Sequence, residues 1–196
     1  MFWRPVAMTE GHHHHAGRSS RDFLDAAKVL REIGLSEGQV VLDAGSGSGH
    51  FSKAASLIVG AGGTVWALDA DQPSLDQLTR DIFTNGLKNI RPLLADLAGP
   101  LPVKTGSVDL CLLVNVLHGL AWDRTADAAL GELARVLKPN GRLAVVEFKK
   151  MQMEFGPPLE VRLEPAEVER LAALAGLRQE RSFEAGQYSY AVIFTR

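Results

Sequence analysis

Cysteine is almost missing from this chain: Cys111 stands alone among 196 residues, so no internal disulfide can form. No apolar run approaches the roughly twenty residues that a membrane-spanning helix needs. No secretory leader is visible, so the chain is expected to be cytoplasmic. An excess of charge of one sign is lacking too. With 21 Lys and Arg against 23 Asp and Glu, the net charge is −2 and the isoelectric point about 6.3. The basic residues are scattered and offer no face to nucleic acid. There is no internal repeat. What is present, 46% hydrophobic and 22% charged residues, suits one globular domain with a sizeable core and leaves no room for a second.

Residues 1–21 show neither a helical nor a strand period and contain four consecutive histidines, His12 to His15. They are expected to form a flexible N-terminal arm or to be a tag remnant, and no metal site is assigned to them because further ligands are missing. The domain itself is expected to run from 22 to 196. Ser19 or Ser20 can cap a first helix with Phe23, Ala26, Ala27, Leu30 and Ile33 on its inner face, ended by Gly34.

The chain is organised around VVLDAGSGSGHFS, Val40 to Ser52, an apolar strand that passes through an acid into a glycine turn and then a helix. Glycines at 45, 47 and 49 let the main chain turn sharply and let a ligand approach it closely. A dinucleotide fingerprint needs G-x-G-x-x-G, whereas the third glycine here comes one residue early and His50 stands in its place, so a nicotinamide cofactor is disfavoured. Asp43 gives D-x-G-x-G-x-G. A carboxylate there can meet an amino group or order the turn, but would repel a pyrophosphate, so the ligand should be cationic nearby.

Strands and helices then alternate. Strands are expected at Thr64 to Ala70, Ile90 to Ala95, Val108 to Val114 and Arg142 to Phe148, with helices after the glycine turn (Phe51 to Val59), after an Asp71 cap (Leu75, Leu78, Ile82 and Phe83 inward) and from Ala126 to Leu137. A turn is read at Lys138 to Gly141, and a helix started by Pro165 buries Val168, Leu171 and Leu174. Leu177 to Glu184 and Tyr188 to Thr195 read as a closing hairpin. The expected fold class is α/β: a doubly wound, Rossmann-like, seven-stranded and mostly parallel sheet, helices on both faces, with an antiparallel last strand.

In an open parallel sheet a ligand lies beyond the carboxyl ends of the strands. Asp43, Asp69, Asp96 and Asn115 are polar residues at such ends, each closing an apolar strand. Asp69 stands where a doubly wound fold places the acid that accepts from both ribose hydroxyls, with Asp71 as its rival. His118, just past the fourth strand, is the best-placed general base, should the chemistry need one. Glu147, Lys149 and Lys150 can reach an acceptor from the end of the fifth strand. Cys111 reads as core, and Tyr188 and Tyr190 as edge packing.

The acid and glycine pattern from Asp43 to Gly49 resembles the first motif of the class I S-adenosylmethionine (SAM) methyltransferases. The stretches LPVKTGSVDLCLLVNVLHGL, from Leu101, and ELARVLKPNGRLAVVEF, from Glu132, resemble their small-molecule branch, type 11, which includes quinone-biosynthesis enzymes. The resemblance implies the same seven-stranded fold, SAM as cofactor and a small-molecule methyl acceptor. It places cofactor contacts on Asp43, Gly45, Ser46, Gly47 and Gly49, on Asp69 and Ala70, on Asp96 and Leu97, and on Asn115, with Asp96 taking the adenine amino group. Asn115 is followed by Val116, not by the Pro-Pro-aromatic run of the amino-methylating DNA and protein enzymes. A lone cysteine excludes the multi-thiol arsenic-binding pattern, and no carboxylate cluster beside the fourth strand suggests a magnesium site. A SAM-binding protein without transfer, or a nicotinamide-dependent oxidoreductase, are the alternatives; monomer and homodimer both remain open.

Overall fold

The computed structural model of the protein describes residues 23–196. In chain order the elements are α1 (Ala26–Ile33), β1 (Val40–Ala44), α2 (His50–Val59), β2 (Thr64–Asp69), α3 (Gln72–Asn85), β3 (Ile90–Leu94), β4 (Val108–Val114), α4 (Leu117–Trp122), α5 (Ala126–Val136), β5 (Leu137–Phe148), α6 (Pro165–Leu174), β6 (Arg178–Glu184) and β7 (Ser189–Thr195). The seven strands form one sheet in the order β3-β2-β1-β4-β5-β7-β6. β1 to β5 pair in parallel, β6 runs in the same direction, and β7 inserts antiparallel between β5 and β6. The expected seven-stranded α/β sheet with a reversed final strand is therefore present. From β1 the chain winds outward through β2 to β3, and from β4 it winds the other way. The order thus reverses between β1 and β4, which is where such a fold opens a crevice.

Alternation along each strand splits the core in two. Leu42, Cys111, Leu113, Leu143, Val145 and Phe194 meet α5 and α6 on one face. Val41, Leu110, Leu112, Ala144, Val146 and Ile193 meet α1, α2 and α3 on the other. Successive strand residues point to opposite faces, and both faces are covered, so β1 and β4 are apolar almost without interruption. Cys111 is fully buried there, as expected of a core thiol, and burial raises its pKa further.

Local chemistry sets the helix ends, with some departures from expectation. Asp25 caps α1 by accepting from the Lys28 N–H at 3.0 Å, and Phe23 stands before the helix and not on its inner face; Ser19 and Ser20 lie outside the described residues, as does the whole stretch 1–21. Asp71 caps α3 through the Ser74 N–H, as its position implies. Phe83, expected to face inward on α3, is 90% exposed, and Leu174 on α6 is 66% exposed. Both stand off the inner stripe, which Ile82 continues on α3 and Leu171, Ala172 and Ala175 continue around α6.

The turn expected at Lys138 to Gly141 is instead an outward bulge inside β5. Pairing with β4 jumps from Val108↔Leu137 to Leu110↔Arg142. Lys138 Nζ anchors it on the Asp109 carboxylate at 2.8 Å, which also accepts the Val40 N–H. Among the described residues no helix is long and apolar enough to cross a membrane, and no group of three or more His, Cys, Asp or Glu could hold a metal ion.

Candidate cofactor and acceptor site

At the carboxyl end of β1 the glycine loop is tied to the neighbouring strand. The N–H groups of Gly45 and Ser46 donate to the Leu68 carbonyl at 2.8 and 2.9 Å, and Gly47 donates to Asp69 Oδ2 at 2.6 Å. Gly49 opens α2 at φ 77°, and a Cβ added there would meet Leu78 Cδ1 at 2.4 Å. At Gly47, φ 51°, an added Cβ would meet nothing within 4 Å. Gly49 is therefore needed for packing, whereas Gly47 leaves its space open.

That space belongs to a crevice of about 420 Å³. Seven of the residues named from the sequence line it: Gly45, Gly47, Asp69, Ala70, Asp96, Leu97 and Asn115. Asp69 holds the loop with both oxygens, Oδ2 on Gly47 and Oδ1 on the Asp71 N–H at 2.9 Å, yet each carboxylate oxygen keeps a second lone pair. Asp96 accepts the Ala98 N–H at 2.9 Å, turning the chain so that Leu97 tucks beneath it. Asn115 takes a left-handed φ of 57° at the end of β4, a strained conformation for a residue with a side chain. Its buried Oδ1 has no hydrogen-bond partner among the described residues.

Asp43 is not on the crevice wall. It is 2% exposed, and its carboxylate accepts from Ser52 Oγ at 2.6 Å, in the first turn of α2. Burial pushes its pKa up to about 6, against the opposing hydrogen bond from Ser52 and with a further push from the nearby Asp69 charge. Of the two roles expected of Asp43, meeting an amino group or ordering the turn, its contact with Ser52 is on the side of order: the acid braces the strand against the helix behind the loop. Ser46 and Gly49 also stand off the wall, the first turned into the loop and the second packed on Leu78.

On the far side, His118 occupies the first turn of the short helix α4, just past the fourth strand. It lines the crevice while being 2% exposed overall. Glu147 on β5, fully buried, meets it twice: Oε1 accepts the His118 backbone N–H at 3.0 Å, and Oε2 lies 2.8 Å from Nδ1. Beyond β5 the chain from 149 to 162 is gathered by Arg162, whose buried guanidinium donates to the carbonyls of Lys149, Met151, Phe155 and Pro157. Phe155 sits edge-on to Tyr188, with ring centroids 5.0 Å apart, and Phe148 lies between His118 and Phe155. Lys149 pairs with Glu184 and Lys150 with Glu167, and neither lines the crevice. The expectation that these lysines face an acceptor is not met. Tyr190 is buried and donates to the Leu163 carbonyl at 2.7 Å.

A family model described as a methyltransferase domain matches residues 41–141, just over half of the chain and the span from the glycine loop to the bulge in β5. The chain belongs to the class I SAM-dependent methyltransferases. A SAM-dependent methyltransferase from Aquifex aeolicus, of known structure, is 33% identical and superposes with a TM-score of 0.83 over 91% of this chain and 94% of that one. The ubiquinone/menaquinone biosynthesis C-methyltransferase UbiE of Paraburkholderia phymatum is 36% identical over 126 residues, 64% of this chain and 49% of the relative. The chain thus spans about half the length of that curated relative. An O-methyltransferase of neocarzinostatin biosynthesis, solved with S-adenosylhomocysteine and 1,4-dihydroxy-2-naphthoic acid, is 25% identical with a TM-score of 0.71, covering 87% of this chain and 52% of its own.

The methyltransferase fits its cofactor on its own geometry. SAM carries an ammonium, a ribose diol and an adenine amino group, all donors, and the crevice offers acceptors: Asp69, Asp96 and the unpartnered Asn115 Oδ1. Reading the sequence missed Leu68, Ala95, Val116, Gly119, Leu120 and Asp123 on the wall, and the contact of Glu147 with His118. The first six had no signal beyond lying beside Asp69, Asp96 or His118. Glu147 had one: a lone acid inside the apolar run of β5, which needs a partner if it is buried.

Proposed function

We propose that this methyltransferase transfers the methyl group of SAM to a small-molecule acceptor in the crevice beyond β1, β2, β3 and β4. The observation that carries it is the gathering of Asp69, Asp96, Leu97, Asn115 and His118 around one cavity. Asp69 accepts from the ribose hydroxyls, Asp96 and the Leu97 N–H take the adenine edge, and Asn115 Oδ1 accepts from the ammonium. Bound SAM supplies a methyl group activated by its sulfonium. The protein's part is then to align the acceptor and to remove its proton, for which His118 is the base. The acceptor accordingly bears an O–H or an acidic C–H. The net charge of −2 supports a small molecule over nucleic acid. The same reading takes 22–196 as the catalytic domain and the cytoplasm as its setting.

Calorimetric titration with SAM, with S-adenosylhomocysteine and with NADH as control tests it. Micromolar binding of the first two, about −8 kcal/mol, is expected. Asp69→Ala should weaken it by about 1–3 kcal/mol through unpaired ribose hydroxyls. Folded protein that binds neither SAM nor its product overturns the reading, and so does a preference for NADH.

A further inference from the structure

Arg162 is 4% exposed, and its guanidinium donates to main-chain carbonyls and to no carboxylate. Nε reaches Pro157 at 2.8 Å, Nη1 reaches Met151 at 2.6 Å and Lys149 at 3.4 Å, and Nη2 reaches Phe155 at 3.0 Å. A buried charge with unmet donors is costly, so these bonds fix the side chain as firmly as they fix the loop. The chain from 149 to 164, between β5 and α6, has neither helix nor strand to occupy its carbonyls. One planar fork of donors takes that part. The gathered loop lies on rings that lead to the crevice. The guanidinium carbon of Arg162 is 5.7 Å from the centroid of Phe148, whose ring stands 6.3 Å from that of His118, a residue of the crevice wall. Gly156, at φ 83°, approaches Phe148 so closely that an added Cβ would meet Cε1 at 3.1 Å. Phe155 packs its ring 5.3 Å from Phe23 and 5.0 Å from Tyr188.

We propose that Arg162 is a positioning residue for the methyl acceptor: by fixing the carbonyls of the loop from 149 to 157 it keeps Phe155 and its neighbouring rings seated beyond His118, as a wall already in place when the acceptor arrives. The proposal rests on the methyltransferase reading above and deepens it. With the cofactor held by Asp69 and Asp96, the acceptor extends past His118 towards these rings. A loop ordered beforehand adds no ordering cost when the acceptor binds. Loosening it therefore weakens the acceptor's binding and spares the cofactor's, because none of the carbonyls that Arg162 holds belongs to β1, β2 or β3.

The test compares full-length wild type with Arg162→Met, which keeps the apolar stem without donors, and with Arg162→Lys, which keeps the charge without the planar fork. The probes are S-adenosylhomocysteine and, in its saturating presence, 2-naphthol, a flat ring with a removable O–H whose binding is followed by fluorescence. Arg162→Met should bind 2-naphthol about tenfold more weakly or worse, with Arg162→Lys between it and the wild type. All three should bind S-adenosylhomocysteine alike. Amide hydrogen exchange should quicken across 149–161 in the variants and stay unchanged in the glycine loop. Variants that lose thermal stability while keeping both affinities leave Arg162 a structural part only and overturn the proposal, and so does wild type that binds S-adenosylhomocysteine but not 2-naphthol. Should neither variant fold, 15N-labelled wild type decides. A slowly exchanging Arg162 Nε–H with separate Nη resonances is expected, because the carbonyls block rotation of the guanidinium; an averaged, rapidly exchanging group overturns the proposal. Wild type that binds neither SAM nor S-adenosylhomocysteine sinks the methyltransferase reading and this proposal with it. Cofactor binding with a 2-naphthol affinity indifferent to Arg162 sinks this proposal alone.

Discussion

On the β1–β2–β3 side of the crevice, polar groups are held by backbone or by neighbours close in the chain. Asp69 grips Gly47 and Asp71, Asp96 grips Ala98, and Asp43 reaches Ser52 only nine residues on. On the β4–β5 side the holding contacts are long-range or span a whole loop. His118 rests on Glu147, and Arg162 collects four carbonyls between 149 and 157. The two buried acids state the contrast most sharply. Both are met twice by one residue, Glu147 by the backbone N–H and ring Nδ1 of His118 and Asp43 by the hydroxyl and backbone N–H of Ser52, but Asp43 also has the Asp69 carboxylate nearby. The β1–β2–β3 side is thus lined by carboxylates, whereas on the β4–β5 side the His118–Glu147 contact is made internally and Asn115 Oδ1 is left without a partner among the described residues.

The largest expected effect breaks that internal contact. Glu147→Ala strands a buried backbone N–H and the His118 ring, and leaving a buried polar group unsatisfied typically destabilises by about 1–3 kcal/mol for each group. Urea unfolding at pH 7.5 should show that loss. A change under about 1 kcal/mol would mean that water or a neighbour replaces the carboxylate, and the two sides would no longer differ in kind.

Asp43 gives the next effect, and its sign is opposite to that of most acids. Its folded pKa, about 6, lies above its ordinary value, so the folded state binds the proton more tightly than the unfolded chain. The Asp43 contribution is therefore fully present below about pH 4 and lost as pH rises through about 6. Two pK units amount to about 3 kcal/mol. Asp43→Asn has no such titration. The stability difference between variant and wild type should shift in the variant's favour by about that amount between pH 4 and 7.5. A difference independent of pH would show that Asp43 is as well compensated as Glu147.

The same contrast explains what the sequence revealed. The glycine loop, the acids at the ends of β2 and β3 and the parallel strands were legible because each is local. A turn that needs glycine, an acid closing an apolar run and a strand covered on both faces leave their marks within a dozen residues. Nothing local told that Asp43 would turn away to Ser52, since the burial of that carboxylate is decided by how α2 packs. The bulge at 138–141 read as a turn because Pro139, Asn140 and Gly141 have turn chemistry wherever they stand; its place inside β5 comes from Lys138 meeting Asp109 across the sheet. Phe83 and Leu174 are apolar and next to the inner stripes of their helices, but Ile82 on α3 and Leu171 and Ala172 on α6 take the core-facing places. Glu147 and His118 were each noticed alone, and only strand order joins them.

The smallest effect on stability sharpens the comparison within the glycine loop itself. Gly47→Ala adds a methyl group that meets no atom within 4 Å, so its folding penalty is only that of a left-handed φ, about 1–2 kcal/mol. The methyl group nonetheless enters the crevice that Gly47 lines, where a ligand is expected to lie against the main chain. SAM affinity should therefore fall by more than stability does, about a hundredfold or beyond, in a protein whose melting temperature moves by only a few degrees. Gly49→Ala should behave in reverse, because its methyl group collides with Leu78 in the core and never reaches the crevice. If Gly47→Ala binds SAM as the wild type does, the loop serves geometry alone and the open side of the crevice is not shaped for the cofactor.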